Sequence, residues 1–207
     1  MKKVLILSPH TDDAEIAMGA TLKQMSDSKI EVKHICFSDC RESIPSHLPD
    51  DITRDEFAAA SEMLKFDSVC YNFKVRCFNF GRQSVLDLLI EAVRDFPPDT
   101  VFMPSHNDIH QDHQTIHQEA LRAFKHSTLY GYELPWNNLE GSPNLFNQIS
   151  EDDLKFKLSL VANYKSQAHR HYTAPEFIRA IAVMRGGQVG VPLAEAFYQY
   201  RTIWKTS

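Results

Sequence analysis

The chain has 207 residues, 43% of them apolar and 24% charged, which excludes a disordered segment and allows a core without disulfide staples. Lys plus Arg number 22 against 27 for Asp plus Glu, a net charge of -5 with no basic block, so no nucleic-acid partner is expected. Four apolar residues precede Ser8, too few for a signal-peptide core, no run reaches the ~20 residues of a membrane span, and no Cys-x-x-Cys pair occurs. These features predict a cytoplasmic protein with buried, reduced thiols and no membrane insertion.

From the N-terminus, Lys2 to Leu7 reads as a short strand, continuously apolar from Val4 on, the pattern of a strand buried on both faces of a parallel sheet. Ala14 to Met25 carries Ile16, Ala17, Ala20, Leu22 and Met25 at near-helical spacing, so the first unit is strand, loop, helix. Ile30 to Phe37 predicts a second strand and Ser38 to Pro49 a polar connection. Thr53 to Leu64 predicts a helix, with Thr53 as N-cap and Glu56 completing a capping box. Val69 to Phe80 alternates in part, as one or two strands would, and Ser84 to Phe96 is an amphipathic helix stopped by Pro97-Pro98. A strand over Thr100 to Met103, a His-rich loop, a helix from about Gln114 to Phe124 and a strand over Ser127 to Leu134 follow. Beyond Trp136 the periodicity weakens. Residues 137–144 are loop chemistry, Ser150 to Asp153 can cap a helix to Tyr164, and Pro175 to Met184 predicts another helix. Strands alternating with helices at this spacing indicate one α/β domain, residues 1–207, with a mostly parallel sheet.

Two stretches stand where strands run out: His10-Thr11-Asp12-Asp13 after Val4 to Leu7, and His106 to His113 after Thr100 to Met103. In open parallel sheets such loops converge on one crevice at the carboxyl ends of the strands. Converged, they offer His10, Asp12, Asp13, His106, Asp108, His110, Asp112 and His113. Two imidazoles and one carboxylate suit a catalytic zinc ion, which keeps a fourth position for water, whereas calcium or magnesium would want mostly oxygen. Adjacent residues in an extended loop diverge, so one of Asp12 and Asp13 is expected on the metal and the other facing the water. That carboxylate can take a proton from water acidified from a pKa of ~15.7 to roughly 7, and a further histidine can stabilise an oxyanion or protonate a leaving amine. These parts specify metal-assisted hydrolysis of an amide or ester. Taken singly, the aspartates read as the acidic first turn of a helix and His110-x-x-His113 as a solvated loop. Their joint placement at two strand ends favours the metal site.

These residues resemble the LmbE-like, or PIG-L, family of zinc-dependent N-acetylglucosaminyl deacetylases. The family's His-Pro-Asp-Asp motif stands here as His10-Thr11-Asp12-Asp13-Ala14-Glu15, and its His-Pro-Asp-His motif as His110-Gln111-Asp112-His113. Arg54-Asp55-Glu56, Pro98-Asp99-Thr100-Val101, Tyr164-Lys165-Ser166-Gln167, Arg185-Gly186-Gly187-Gln188 and Ala194-Glu195-Ala196-Phe197 extend the resemblance over nearly the whole chain. Thr11 and Gln111 replace the two motif prolines. The resemblance implies a single-domain Rossmann-like fold and zinc held by His10, Asp13 and His113. It further implies Asp12 as general base, His110 as the group stabilising the tetrahedral intermediate, Asp112 orienting an imidazole, and Arg54 near the substrate. An N-acetylated amino sugar or sugar conjugate is the implied substrate, and a homo-oligomer is compatible with it.

Tyr130 to Asn137 places Trp136 beside Asn and Glu, a combination that suits a sugar ring or, equally, plain core packing. Lys165 and Gln167 read as substrate contacts or as a helix terminus. Two other functions compete with a deacetylase. A two-metal hydrolase would match Asp108-Ile109-His110-Gln111-Asp112-His113, but needs His at position 108. A non-catalytic sugar-binding module with a structural zinc would be expected to use thiolates.

Overall fold

The computed structural model describes residues 1–203. In chain order they form β1 (Lys3–Ser8), α1 (Asp13–Asp27), β2 (Glu31–Cys36), α2 (Ile52–Leu64), β3 (Asp67–Cys70), α3 (Arg82–Asp95) and β4 (Thr100–Pro104). Then come α4 (Gln111–Ala123), β5 (Thr128–Tyr132), β6 (Leu145–Gln148), α5 (Glu151–Ala162), α6 (Pro175–Val189) and β7 (Ala194–Arg201). The strands make one sheet in the order β3-β2-β1-β4-β5-β7-β6. β1 to β5 run parallel, while β7 pairs antiparallel with both β5 and β6.

The apolar run of β1 explains the layering. Alternate side chains leave opposite faces of a strand, so Val4 and Ile6 enter one core with α1, α2, α5 and α6, while Leu5 and Leu7 enter the other with α3 and α4. All four are fully buried. The order of strands reverses at β1, with β2 on one side and β4 on the other. Loops leaving β1 and β4 therefore open a crevice at the carboxyl edge of the sheet.

α1 is broken at Met18, whose φ of -136° and ψ of 26° are non-helical. Around the break the Ala20 and Thr21 N–H groups donate to Glu195 of β7, and the Ala17 carbonyl accepts from Lys157 of α5. Lys157 and Glu195 are themselves paired at 2.7 Å, and both are buried. Gly19 lets α5 approach closely, since a Cβ there would stand 2.9 Å from Lys157 Cγ. Lys157→Met is expected to cost about 3 kcal/mol in urea denaturation, because it strands the Glu195 carboxylate in the core without a cation.

Several expectations need correction. The second helix starts at Ile52 after Asp51, so Thr53 is not its N-cap. Thr53 Oγ1 donates to the Asp39 carbonyl instead, and Glu56 accepts from the backbone N–H and Oγ of Ser166 rather than closing a capping box. Of Val69 to Phe80 only the start is strand, within Asp67–Cys70; a loop and a short 3-10 turn, Phe78–Gly81, take the rest. The helix expected from Gln114 begins at Gln111. β6 and β7 were not expected. Among the cysteines Cys36 is buried, but Cys40, Cys70 and Cys77 are partly exposed.

Candidate active site

Both chemistry-bearing stretches turn out to be helix entries rather than extended loops. Asp12 occupies the N-cap position of α1 with a φ of -117° and ψ of -5°, and Asp13 opens the helix. His110 is the N-cap of α4, its Nδ1 accepting from the Asp112 N–H, with Asp112 and His113 in the first turn. Asp12 and Asp13 diverge because Asp13 Oδ2 folds back to accept the His10 backbone N–H at 2.8 Å. Asp12 makes no side-chain capping bond. A free N-cap carboxylate is unusual, since capping the helix is what Asp normally does there.

The two halves meet. His10 Nδ1 and His113 Nε2 are 3.1 Å apart, and Asp13 Oδ2 lies 3.3 Å from each. His10 Nε2 faces Asp112 Oδ2 at 3.2 Å, and His113 Nδ1 faces Asp108 Oδ2 at 2.7 Å. With a ring proton held on the carboxylate side, the other nitrogen of each ring turns a lone pair toward Asp13, and three such lone pairs converging on one point form a set that could hold a cation. For bonds of about 2.0–2.1 Å, the edge of a tetrahedral zinc site is about 3.3–3.4 Å, and the triangle has that size. The imidazoles of His10, His110 and His113 also offer nitrogens within 4.8 Å of one another, a wider set that could hold a metal.

The electrostatics point the same way. His10 is raised well above the ordinary histidine value: burial opposes its charge, but Cys40, Asp13 and Asp112 outweigh it. Asp13 is drawn down to about 2, where burial is overcome by His113 and His10. Asp12 is pushed up to about 7, by burial first and the Asp13 charge second. His110 is held down at about 4 by burial and then by the two neighbouring imidazoles. Positive charge is thus drawn to the point where His10, Asp13 and His113 converge. Glu15 lies beneath this site, fully buried and 3.8 Å from His34 Nδ1, and faces no solvent.

A cleft of about 400 Å³ opens over these groups, lined by loops that follow β1 through β5 and by the segment after α5. Of the expected residues, His10, Asp12, Asp13, His110 and His113 all line it. Asp112 sits behind, also accepting the Arg76 and Phe78 N–H groups. Asp108 supports His113 rather than offering itself as a ligand, and His106 turns away to the Tyr200 hydroxyl. Arg54 is not in the lining; its guanidinium holds Asp39 at 3.1 Å. Trp136 lines the cleft, but one face is stacked on Tyr172 at 4.0 Å. Its neighbour Glu133 is committed to a bidentate pair with Arg185 and is not left to meet a sugar hydroxyl, whereas Asn137 lines the cleft beside Trp136. Gln167 does line the cleft, whereas Lys165 does not. Sequence reasoning missed Cys40, Arg76, His169, Arg170 and Tyr172; Arg76 stands in a stretch whose partial alternation reads as strand, the others in segments without periodicity.

Known proteins share this fold. The diacetylchitobiose deacetylase of Thermococcus kodakarensis is 25% identical, the alignment covering 94% of this chain and 82% of that protein. The conserved protein TT1542 of Thermus thermophilus superposes with a TM-score of 0.84 at 22% identity, over 100% of this chain and 98% of that one. GalB, the 4-carboxy-2-hydroxymuconate hydratase of Pseudomonas putida, superposes with a TM-score of 0.74 at 18% identity, over 100% and 99%. The fold alone therefore names no reaction. A family model is more specific: PIG-L, described as GlcNAc-PI de-N-acetylase, matches residues 5–124, both metal-facing motifs included. With more than half of its length under that match, the chain belongs to the PIG-L family of deacetylases.

Proposed function

We propose that the chain is a zinc-dependent N-deacetylase that hydrolyses the acetamide of an N-acetylated amino sugar or sugar conjugate. The observation that carries this reading is the triangle of His10 Nδ1, Asp13 Oδ2 and His113 Nε2, with edges of 3.1, 3.3 and 3.3 Å, beside an Asp12 carboxylate that caps nothing. Those three atoms would hold the ion, and the tight triangle is preferred to the three-imidazole set because its edges fit tetrahedral zinc. Zinc supplies Lewis acidity and acidifies water from a pKa of ~15.7 to about 7.

Asp12 takes the proton of the attacking water as its oxygen adds to the acetamide carbonyl carbon. His110 accepts the Asp112 N–H at Nδ1, so its neutral ring carries the proton on Nε2 and donates it as a hydrogen bond to the developing oxyanion. When the C–N bond breaks, the proton on Asp12 goes to the departing nitrogen, leaving acetate and a free amine. Asp108 and Asp112 do not touch the substrate; they fix the tautomers of His113 and His10. The substrate is a small amino sugar or its conjugate, bound in the cleft without nucleic acid or membrane insertion, by a cytoplasmic enzyme.

The test is acetate and amine release from a panel of N-acetyl sugars, free and conjugated, by zinc-loaded and chelator-stripped protein. Zinc-loaded protein is expected to release acetate and amine in equal amounts, stripped protein to release neither, and added zinc to restore both. Equal activity without metal overturns the reading, and so does the absence of release from every sugar. More than one tightly held ion per chain would favour a two-metal hydrolase.

A further inference from the structure

Two thiols meet at the carboxyl ends of β2 and β3, where Cys36 stands opposite Cys70 in the register of the parallel pair. Such partners send their side chains to the same face of the sheet, and neighbouring strands lie about 4.7–4.9 Å apart. That spacing falls within the Cα separation of about 4.4–6.8 Å that a disulfide needs. The two differ in access: Cys36 is buried, whereas Cys70, on the edge strand, is partly exposed.

Their chemistry divides in the same way. Burial, and then the neighbouring Cys70, push the Cys36 thiol well above its ordinary value. Cys70 is drawn below that value by a hydrogen bond from Cys36 and, against its partial burial, by the Arg54 charge. The exposed thiol is thus the one that turns to thiolate, the form that oxidants attack, and the buried thiol stands behind it as a resolving partner.

Cys36 is also tied to the loop that follows β2. Its Sγ donates to the Ser38 carbonyl at 3.2 Å, and Cys40 Sγ reaches the same oxygen at 3.7 Å. Ser38 donates its N–H to the Pro9 carbonyl, one residue before His10, and its Oγ accepts the Cys40 N–H. Cys40 lines the cleft with a φ of 54°, a left-handed conformation disfavoured for a residue with a Cβ. Bonds centred on Ser38 hold that conformation, and one of them comes from Cys36.

We propose that Cys36 and Cys70 form a peroxide-oxidisable dithiol whose disulfide withdraws the Cys36 S–H from Ser38 and loosens the cleft-lining loop after β2. The Cys70 thiolate attacks hydrogen peroxide, breaking the O–O bond and leaving a sulfenic acid and hydroxide. The Cys36 sulfur then displaces the sulfenic hydroxyl, which departs with the Cys36 proton as water. One peroxide is reduced to water while two thiols are oxidised to one disulfide.

The experiment treats zinc-loaded parent, Cys36→Ser, Cys70→Ser and Cys77→Ser with hydrogen peroxide. Unreduced peptides are mapped by mass spectrometry, amide exchange is followed over residues 38–40, and kcat/KM for acetate release is measured. In the parent, free thiols are expected to fall from four to about two per chain, with Cys36 and Cys70 linked within one chain. Exchange over residues 38–40 should quicken and kcat/KM fall, both reversed by dithiothreitol. Cys36→Ser should stop at a Cys70 sulfenic acid that dimedone traps, and Cys70→Ser should keep Cys36 free and the loop in its reduced state. Cys77→Ser, which removes another partly exposed thiol, should behave as the parent. Oxidation that spares Cys70, a link between two chains, or a Cys36–Cys70 link that leaves exchange over the loop unchanged overturns the proposal. Should Cys36→Ser fail to fold, Cys70→Ser on the edge strand carries the test. Only the kcat/KM arm rests on the deacetylase reading, whose failure shows separately as no acetate release from the reduced parent.

Discussion

Asp12→Ala is expected to lower acetate release by about 10²–10⁴ while the protein keeps one zinc per chain. The two halves of that expectation come from different observations. Retention of metal follows because the converging atoms belong to His10, Asp13 and His113, none of which leans on the Asp12 side chain. Loss of turnover follows because Asp12 spends its carboxylate on no helix N–H, yet lines the cleft beside the ion site. Metal content by mass spectrometry and acetate release by a coupled assay check both halves on one preparation. If Asp12→Ala stripped the metal and Asp13→Ala did not, the two aspartates would have to exchange roles.

His113→Ala should lose the ion altogether and fall to the activity of chelated protein. His113 is buried, and its ring is set by Asp108 at 2.7 Å, so its removal takes away a nitrogen held in place at the point of convergence. Removing that support alone, with Asp108→Ala, is expected to weaken zinc binding by about 10- to 100-fold. Zinc content after dialysis against a weak chelator gives both results. The same measurement on His110→Ala decides between the two possible ligand sets. Retained zinc keeps His110 as the oxyanion's partner, whereas lost zinc makes the three imidazoles the ligands.

The parallel core of the fold and both metal-facing motifs are legible in the sequence because each is a local pattern. Val4 to Leu7 and Thr100 to Met103 are apolar throughout, as strands covered on both faces must be. His10 stands just beyond the first, and the stretch His106 to His113 just beyond the second. What is not local is lost. β7 carries Glu195 in a buried position, which reads against a strand until Lys157 and the broken turn of α1 are seen to receive it. β6 has only four residues at the edge of the sheet, half-exposed. Thr53 and Glu56 have the spacing of a capping box, but partners distant in sequence, Asp39 and Ser166, take both side chains. Arg76 stands in a stretch whose partial alternation reads as strand, and Arg170 in one without periodicity, so only the folded chain shows that both residues line one cleft.

Asp112 gathers these threads. Its two oxygens receive the Arg76 and Phe78 N–H groups and face His10 Nε2. One short side chain is therefore the common anchor of a metal-facing imidazole and of the loop that presents Arg76. Replacing Asp112 is therefore expected to release the His10 ring and the Arg76 to Phe78 backbone together, two disturbances from the loss of one carboxylate.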